Sequence, residues 1–364
     1  MEYHAPDIAL LQPLAPLHHA MFQGATMIQK RLGRSGLTVS PICLGAMMFG
    51  DQTDASEADR IIGCARDRGV NFIDTADSYA DGRSEEMLGA AIANDRNRWV
   101  VATKVGGARY PDVPNGDGLG RRWMIQAAES SLRRLKTDWI DIYYLHRDDQ
   151  RVSLEETLRT LGDLIAQGKI RYWAFSNFSA WRIAEMIRLC DLLGVPRPVA
   201  AQPLYNAMTR VAEVEYLPAC ANYSIGVVSY SPLARGVLTG KYRSQEAPDP
   251  SSRAGRNDIR LMQTEFRPES LAIAEKIRAH SEAQGRSTIG FALNWALANP
   301  SVTAVIAGPR TLDQWTAYLD ALAEGQGEGD DALVDALVPP GHTSTPGYTD
   351  PHYPVTGRSG AVPA

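Results

Sequence analysis

The chain is predicted to be an α/β protein in which eight strand–helix units close into a parallel (β/α)8 barrel, preceded by a β-hairpin cap and followed by a C-terminal tail. Three observations predict it. Short apolar runs begin near residues 39, 72, 99, 140, 170, 199, 226 and 302, each followed by apolar residues at helical spacing. The runs are mostly continuous rather than alternating, as parallel strands covered by helices are. Eight units over roughly 290 residues suit a closed TIM barrel better than an open sheet. The turn of an open dinucleotide-binding sheet is also missing. Gly-Asp-Gly-Leu-Gly at 116–120 lacks the G-x-G-x-x-G spacing and does not directly follow a strand.

Residues 27–36 contain Lys-Arg-Leu-Gly-Arg-Ser-Gly, two short segments around glycines that read as the hairpin cap. The run 39–44 gives way to Gly45-Ala46-Met47, and the sequence from Thr53 to Glu57 is a capped helix start with Ile61, Ile62 and Ala65 on one face. The strand at Phe72 is followed by a helix from about Ser84, and the strand at Trp99 by a glycine-rich loop, 106–120, and a helix through Ile125 and Leu132. Strands at 140–145 and 170–175 alternate with helices at 154–165 and 180–193. A strand at 199–202 precedes a helix predicted over 211–220, and a strand at 226–230 precedes a long polar loop, 235–268. Helices at 269–283 and 288–298, a strand at 302–307 and a helix at 311–322 complete the barrel, which is assigned to 27–323.

Residues 1–26 are expected to be a disordered extension: Pro6, Pro13 and Pro16 interrupt their leucines, and neither a basic leader nor a small-residue cleavage site is present. Residues 324–364 form a tail, with a short apolar turn at 332–338. Its Pro, Gly and Thr content is compatible either with disorder or with folding over the barrel mouth.

Bulk properties exclude several function classes. With 37 basic against 42 acidic residues the net charge is −5, which offers nucleic acid no bulk attraction. No run approaches the roughly 20 apolar residues of a membrane helix. Cys43, Cys64, Cys190 and Cys220 are far apart, with no Cys-x-x-Cys pair, and read as reduced residues of a cytoplasmic protein rather than a disulfide frame or metal site.

Chemistry gathers where the strands end. In a barrel of this kind the carboxyl ends of the strands converge on one face. The second, third and fourth end at Asp74, Lys104 and His146, with Tyr79 just beyond the second. Each has an ordinary explanation alone: Tyr79 is one of 14 tyrosines, Lys104 could be a solvated terminus and Asp74 a helix cap. His146 is more telling, since it is the one histidine of seven at a predicted strand end. Together they suit carbonyl reduction by hydride. A phenol with a pKa near ~10 is a weak acid. A neighbouring ammonium is expected to lower that pKa, a carboxylate to hold the ammonium, and an imidazole to bond the carbonyl oxygen.

The motifs resemble those of the aldo-keto reductases over essentially all of 27–323. They are Asp74 to Tyr79 with Ser84-Glu85-Glu86, Leu145-His146, Phe175-Ser176-Asn177-Phe178, Ala201-Gln202-Pro203, and the long run from Tyr230-Ser231-Pro232-Leu233 to Gly240-Lys241-Tyr242. The resemblance implies Tyr79 as general acid, Asp74 and Lys104 as its tuning pair and His146 as the residue orienting a small carbonyl substrate. It also implies NADP(H) lying across the barrel mouth. Gly45, Ala46 and Met47 would border that cofactor. Ser176, Asn177 and Gln202 would hold its carboxamide, Tyr230 would stack on the nicotinamide, and Ser231, Leu233, Gly236 and Lys241 would cover the pyrophosphate. Gly308 and Arg310, at the start of the last helix, would meet a 2′-phosphate. Gln314 and Tyr318 would face the adenine.

Three departures stand out. Tyr318 stands where the family usually has Asn, Ala80-Asp81 stand where it commonly has Gly, and Arg147 follows the histidine, where it is expected to touch polar or anionic substrates. The long-loop branch that the chain resembles includes potassium-channel β subunits, which implies an alternative role as an NADPH-binding regulatory module. Those subunits commonly lose the histidine retained here as His146. Substrate choice is expected to rest on loops 47–50, 106–120 and 235–268 and on the tail. No motif specifies the oligomeric state.

Overall fold

A computed structural model describes residues 22, 23 and 26–355 apart from 108, 111, 244 and 245. Eight parallel strands close into a barrel: β1 Ile42–Gly45, β2 Phe72–Asp74, β3 Val100–Val105, β4 Ile140–Leu145, β5 Ile170–Ser176, β6 Ala200–Gln202, β7 Gly226–Tyr230 and β8 Val302–Ala307. Closure is made by β8 against β1, with Val305 opposite Ile42 and Ala307 opposite Leu44.

The strands read as unbroken apolar runs because both faces are covered. One set of side chains packs inside the barrel, including Cys43, Phe72, Ala102, Ile142, Tyr144, Ala174, Ala200, Val228 and Ala304. The alternate set, including Leu44, Ile73, Val101, Tyr143, Leu145, Phe175, Ala201 and Val305, packs outward under the helices. This period of two places the site. The next inward position on each strand is Gly45, Asp74, Lys104, His146, Ser176, Gln202, Tyr230 and Ile306, so these residues form the top layer of the barrel interior.

The opposite end is plugged. Lys30–Arg31 pairs antiparallel with Thr38–Val39, and Leu32 and Val39 enter the inner cluster. The turn between them needs glycine: at Gly33, with φ +53°, a Cβ would lie 2.6 Å from both Gly226 N and Val199 O. Ordered chain starts earlier than the predicted boundary at 27, since Phe22–Gln23 pairs with Thr26–Met27. The remainder of the expected extension lies outside the described residues.

The helix predicted over 211–220 is broken. Val211–Glu213 is a 3-10 turn and the α-helix runs from Tyr216 to Asn222. Pro218, lacking an N–H, is tolerated only within a first turn, so the helix must begin just before it. Two helices were not expected. Ile259–Thr264 lies within the long polar loop, capped by the Asp258 carboxylate on Leu261 N at 2.9 Å, and Asp330–Leu337 occupies the apolar turn of the tail.

The tail is tied down step by step. Arg210 Nη1 donates to Asp335 and to Val338 O, each at 2.7 Å. Ser344 N reaches Met208 O at 2.8 Å, and Arg260 grips the Asp350 carboxylate with both Nη atoms, at 3.1 and 2.7 Å. Tyr348 lies under the Arg267 guanidinium at 3.8 Å. This path brings His352 and Tyr353 to the wall of the central pocket.

Candidate active site

Lys104 is completely buried inside the top of β3. Its three N–H donors are all used, on the Asp74 carboxylate, on Thr75 O at 2.7 Å and on the Tyr79 hydroxyl at 3.2 Å. Asp74 is held on its other oxygen by Gln202 Nε2 at 3.0 Å. Burial alone would pull the Lys104 pKa down, but Asp74 and then Tyr79 outweigh it, and the ammonium is held charged. Tyr79 differs from expectation. Burial raises its pKa by more than Lys104 lowers it, so the net direction is upward. The phenol is therefore neutral, in the form that can give a proton.

The His146 ring meets Tyr79 edge to face, with centroids 5.9 Å apart. Burial, together with the charges of Lys104 and Arg147, lowers its pKa to about 3. A neutral imidazole thus stands beside a neutral phenol, and its Nδ1 has no hydrogen-bond partner among the described residues.

The residues expected to hold a carboxamide are bonded to one another. Asn177 Nδ2 donates to His146 O and to Ser176 Oγ, each at 2.9 Å, and Asn177 Oδ1 accepts from Tyr230 OH at 3.0 Å. Ser176 Oγ donates to Gln202 O at 2.7 Å. Asn177 sits at φ +59°, a conformation that asparagine tolerates better than most residues.

A pocket of about 390 Å³ joins these groups to a basic end. There Lys241, Arg253 and Arg310 converge near Gln314 and Tyr318. Arg310 Nη1 donates to Ser251 O at 3.3 Å, and Arg310 N donates to Gln314 Oε1 at 2.9 Å. Burial and then the charges of Arg310, Arg253 and Arg256 push the Lys241 pKa down. Cations crowded this closely fit a polyanionic ligand such as a dinucleotide phosphate. At Gly236, φ +100°, a Cβ would stand 3.0 Å from Lys241 Nζ, so glycine lets the lysine fold back over its own loop.

Of the residues singled out from sequence for the site, all but three line this pocket. Lys104 lies behind Tyr79, with its Nζ 3.2 Å from the phenol oxygen. Ala46 is buried away from the pocket, with its carbonyl taken by Ser84 Oγ at 2.7 Å, because it follows Gly45 and so has the outward parity of β1. Arg147 is also displaced from the expected position. It is exposed, outside the pocket wall, and its Nε donates to Gly106 O at 3.1 Å. Among the described residues no cluster of side chains could hold a metal ion, and no helix is long and apolar enough to cross a membrane.

Residues 41–331, which span the barrel and the pocket residues at its strand ends, match the Aldo/keto reductase family. The chain belongs to that family. Among its relatives, a probable voltage-gated potassium channel subunit beta from Arabidopsis thaliana is 38% identical over 78% of this chain and 87% of its own. A rice protein of the same description is 37% identical over 81% and 91%. An uncharacterized oxidoreductase, YrpG, from Bacillus subtilis (strain 168) is 35% identical over 78% and 87%. The family and the oxidoreductase among these relatives support oxidoreduction.

Several wall residues of this aldo/keto reductase were not picked out from sequence. Ile306 had a signal, since it is the inward position of β8 after Ala304. Arg235, Arg253, Arg260, His352 and Tyr353 had none, because they come from loops and the tail. The departure at 80–81 gains a physical meaning: Ala80 and Asp81 have φ of 47° and 56°, where glycine would be unstrained. Relief of about 1–2 kcal/mol of left-handed strain, less roughly 0.5–1 kcal/mol for the freer unfolded chain, predicts that Ala80→Gly is more stable by about 0.5–1 kcal/mol. Urea denaturation would measure this, and a less stable variant would refute it.

Proposed function

We propose that this protein reduces aldehydes and ketones with NADPH, with Tyr79 as the general acid. The observation that carries the reading is the half-buried Tyr79, its hydroxyl 3.2 Å from a charged Lys104, lining the pocket beside a neutral His146. When bound, the dihydronicotinamide supplies the hydride for the carbonyl carbon. Tyr79 gives its proton to the carbonyl oxygen as negative charge develops there. The phenolate left behind is paired with the Lys104 ammonium, which Asp74 holds in place. His146 offers a ring N–H to the same oxygen and so orients the carbonyl. Ser176, Asn177, Gln202 and Tyr230 would position the nicotinamide end, and Lys241, Arg253 and Arg310 the phosphates. The free cysteines accord with a cytoplasmic protein.

The basic end supports NADPH over NADH, since a 2′-phosphate adds charge that Arg310 and Arg253 can meet in bidentate fashion. Arg310→Ala is expected to raise the KM for NADPH at least ~10-fold while changing that for NADH much less. Equal effects on both would remove Arg310 from 2′-phosphate recognition. The test of the reading as a whole is consumption of NADPH against a panel of aromatic aldehydes, sugars, diketones and bulky ketones. Tight NADPH binding with no turnover of any carbonyl would instead favour a regulatory module, the second reading suggested by the channel-subunit relatives.

A further inference from the structure

Arg235 is a pocket residue that neither the catalytic group nor the phosphate end uses. It lines the same cavity as Tyr79, His146 and Tyr353, it is half-buried, and its Nε is enclosed without a hydrogen-bond partner among the described residues. Its backbone is left-handed, φ +52°, directly before Gly236. A large side chain is therefore kept where glycine would be less strained.

Charge on the pocket wall is one-sided. Arg235, Lys241, Arg253, Arg260 and Arg310 line it, against the single carboxylate Asp74, which is already bonded to Lys104 and Gln202. Arg260 has both Nη atoms on Asp350, and Arg253 pairs with Asp258 at 3.3 Å. Lys241, Arg253 and Arg310 act on one another at the phosphate end. The charge of Arg235, by contrast, reaches Tyr79 at the chemical end, as well as Tyr230, Glu265 and Arg253. Glu265 is its acidic neighbour, but no hydrogen bond joins them: that carboxyl is buried, burial raises its pKa against the lowering charge of Arg235, and its Oε2 has no partner among the described residues. Among the described residues no carboxylate forms a salt bridge with Arg235.

We propose that Arg235 is the specificity-determining residue of the pocket, and that it selects carbonyl substrates bearing a carboxylate close to the reacting group. This rests on the reductase reading above. A planar guanidinium that lines the pocket without a salt-bridge partner suits a two-oxygen acceptor, and the desolvated setting strengthens the pair. The role expected of Arg147 thus passes to Arg235, which reaches the pocket from β7 rather than β4. In the reaction Arg235 holds the distal carboxylate and transfers no proton. The carbonyl carbon takes the hydride and its oxygen takes the Tyr79 proton.

The test compares a short semialdehyde carboxylate, its methyl ester and a phosphate-bearing aldehyde of similar length, using wild type, Arg235→Gln and Arg235→Lys at saturating NADPH. Alongside, the affinity for NADPH is measured by fluorescence, and the NADP⁺-loaded proteins are titrated calorimetrically with butyrate, which cannot react. The wild type should prefer the carboxylate to the ester, and the ratio of the two kcat/KM values should fall about 30-fold or more in Arg235→Gln. Arg235→Lys should keep part of the preference as a point charge, and butyrate binding should be lost in Arg235→Gln. An unchanged ratio overturns the proposal. A loss of NADPH affinity matching the loss of rate would assign Arg235 to the pyrophosphate instead. Preference for the phosphate-bearing aldehyde would overturn the choice of carboxylate. If no carbonyl is turned over, the reductase reading fails, and the butyrate titration still decides whether Arg235 binds a carboxylate.

Discussion

Tyr79→Phe lowers kcat by roughly a thousandfold or more, while NADPH still binds. The reason is local. The hydroxyl is the acidic proton facing the pocket next to His146, whose pKa of about 3 leaves it neutral and a poor proton source near pH 7. Loss of the hydroxyl also removes one of three acceptors of Lys104, but Asp74 and Thr75 O remain. The fold should therefore lose only about 1 kcal/mol, the net worth of one hydrogen bond. Single-turnover rates and cofactor fluorescence on the same preparation separate the two effects. A variant that kept activity within about tenfold of wild type would rule out Tyr79 as the acid.

Lys104→Met is expected to damage both activity and stability. The ammonium is fully enclosed, so its removal leaves the Asp74 carboxylate buried with only Gln202 as a partner. Breaking a buried pair in this way costs about 3–5 kcal/mol, which urea denaturation would register as a large fall in midpoint at unchanged slope. Activity falls as well, because the phenolate formed from Tyr79 would have no cation beside it and burial already holds the phenol's pKa up. The double variant Asp74→Asn, Lys104→Met removes both charges. It should recover most of the stability and none of the activity, and this divergence separates a catalytic pair from a merely structural one. Recovery of activity in the double variant would show that Lys104 serves only to neutralise Asp74.

The barrel and the top layer of its interior were legible because both follow from local rules. A strand has a period of two, so an inward apolar series such as Phe72 or Val100 and Ala102 dictates that Asp74 and Lys104 point inward as well, at whatever height the strand ends. The same rule identifies Ile306 and excludes Ala46. The direction of the Tyr79 pKa was not legible: the charge of Lys104 can be anticipated from spacing, but the larger effect is burial, which depends on everything packed around the loop.

Elsewhere the tertiary structure decided. The long loop and the tail have no period that fixes where their side chains go, and their positions come from contacts far apart in sequence. Arg260 meets Asp350 across 90 residues, and the loop and tail cross the barrel end together. That contact brings Tyr353 and His352 to the pocket, and the left-handed turn at Ala234 and Arg235 sets a guanidinium in the wall of the pocket that Tyr79 and Tyr353 also line. The sequence by itself determined the barrel and the residues of its top layer, because period and strand order are local properties. The shape and charge of the substrate end came from the tertiary structure alone, because loop side chains are placed by long-range contacts that no spacing encodes.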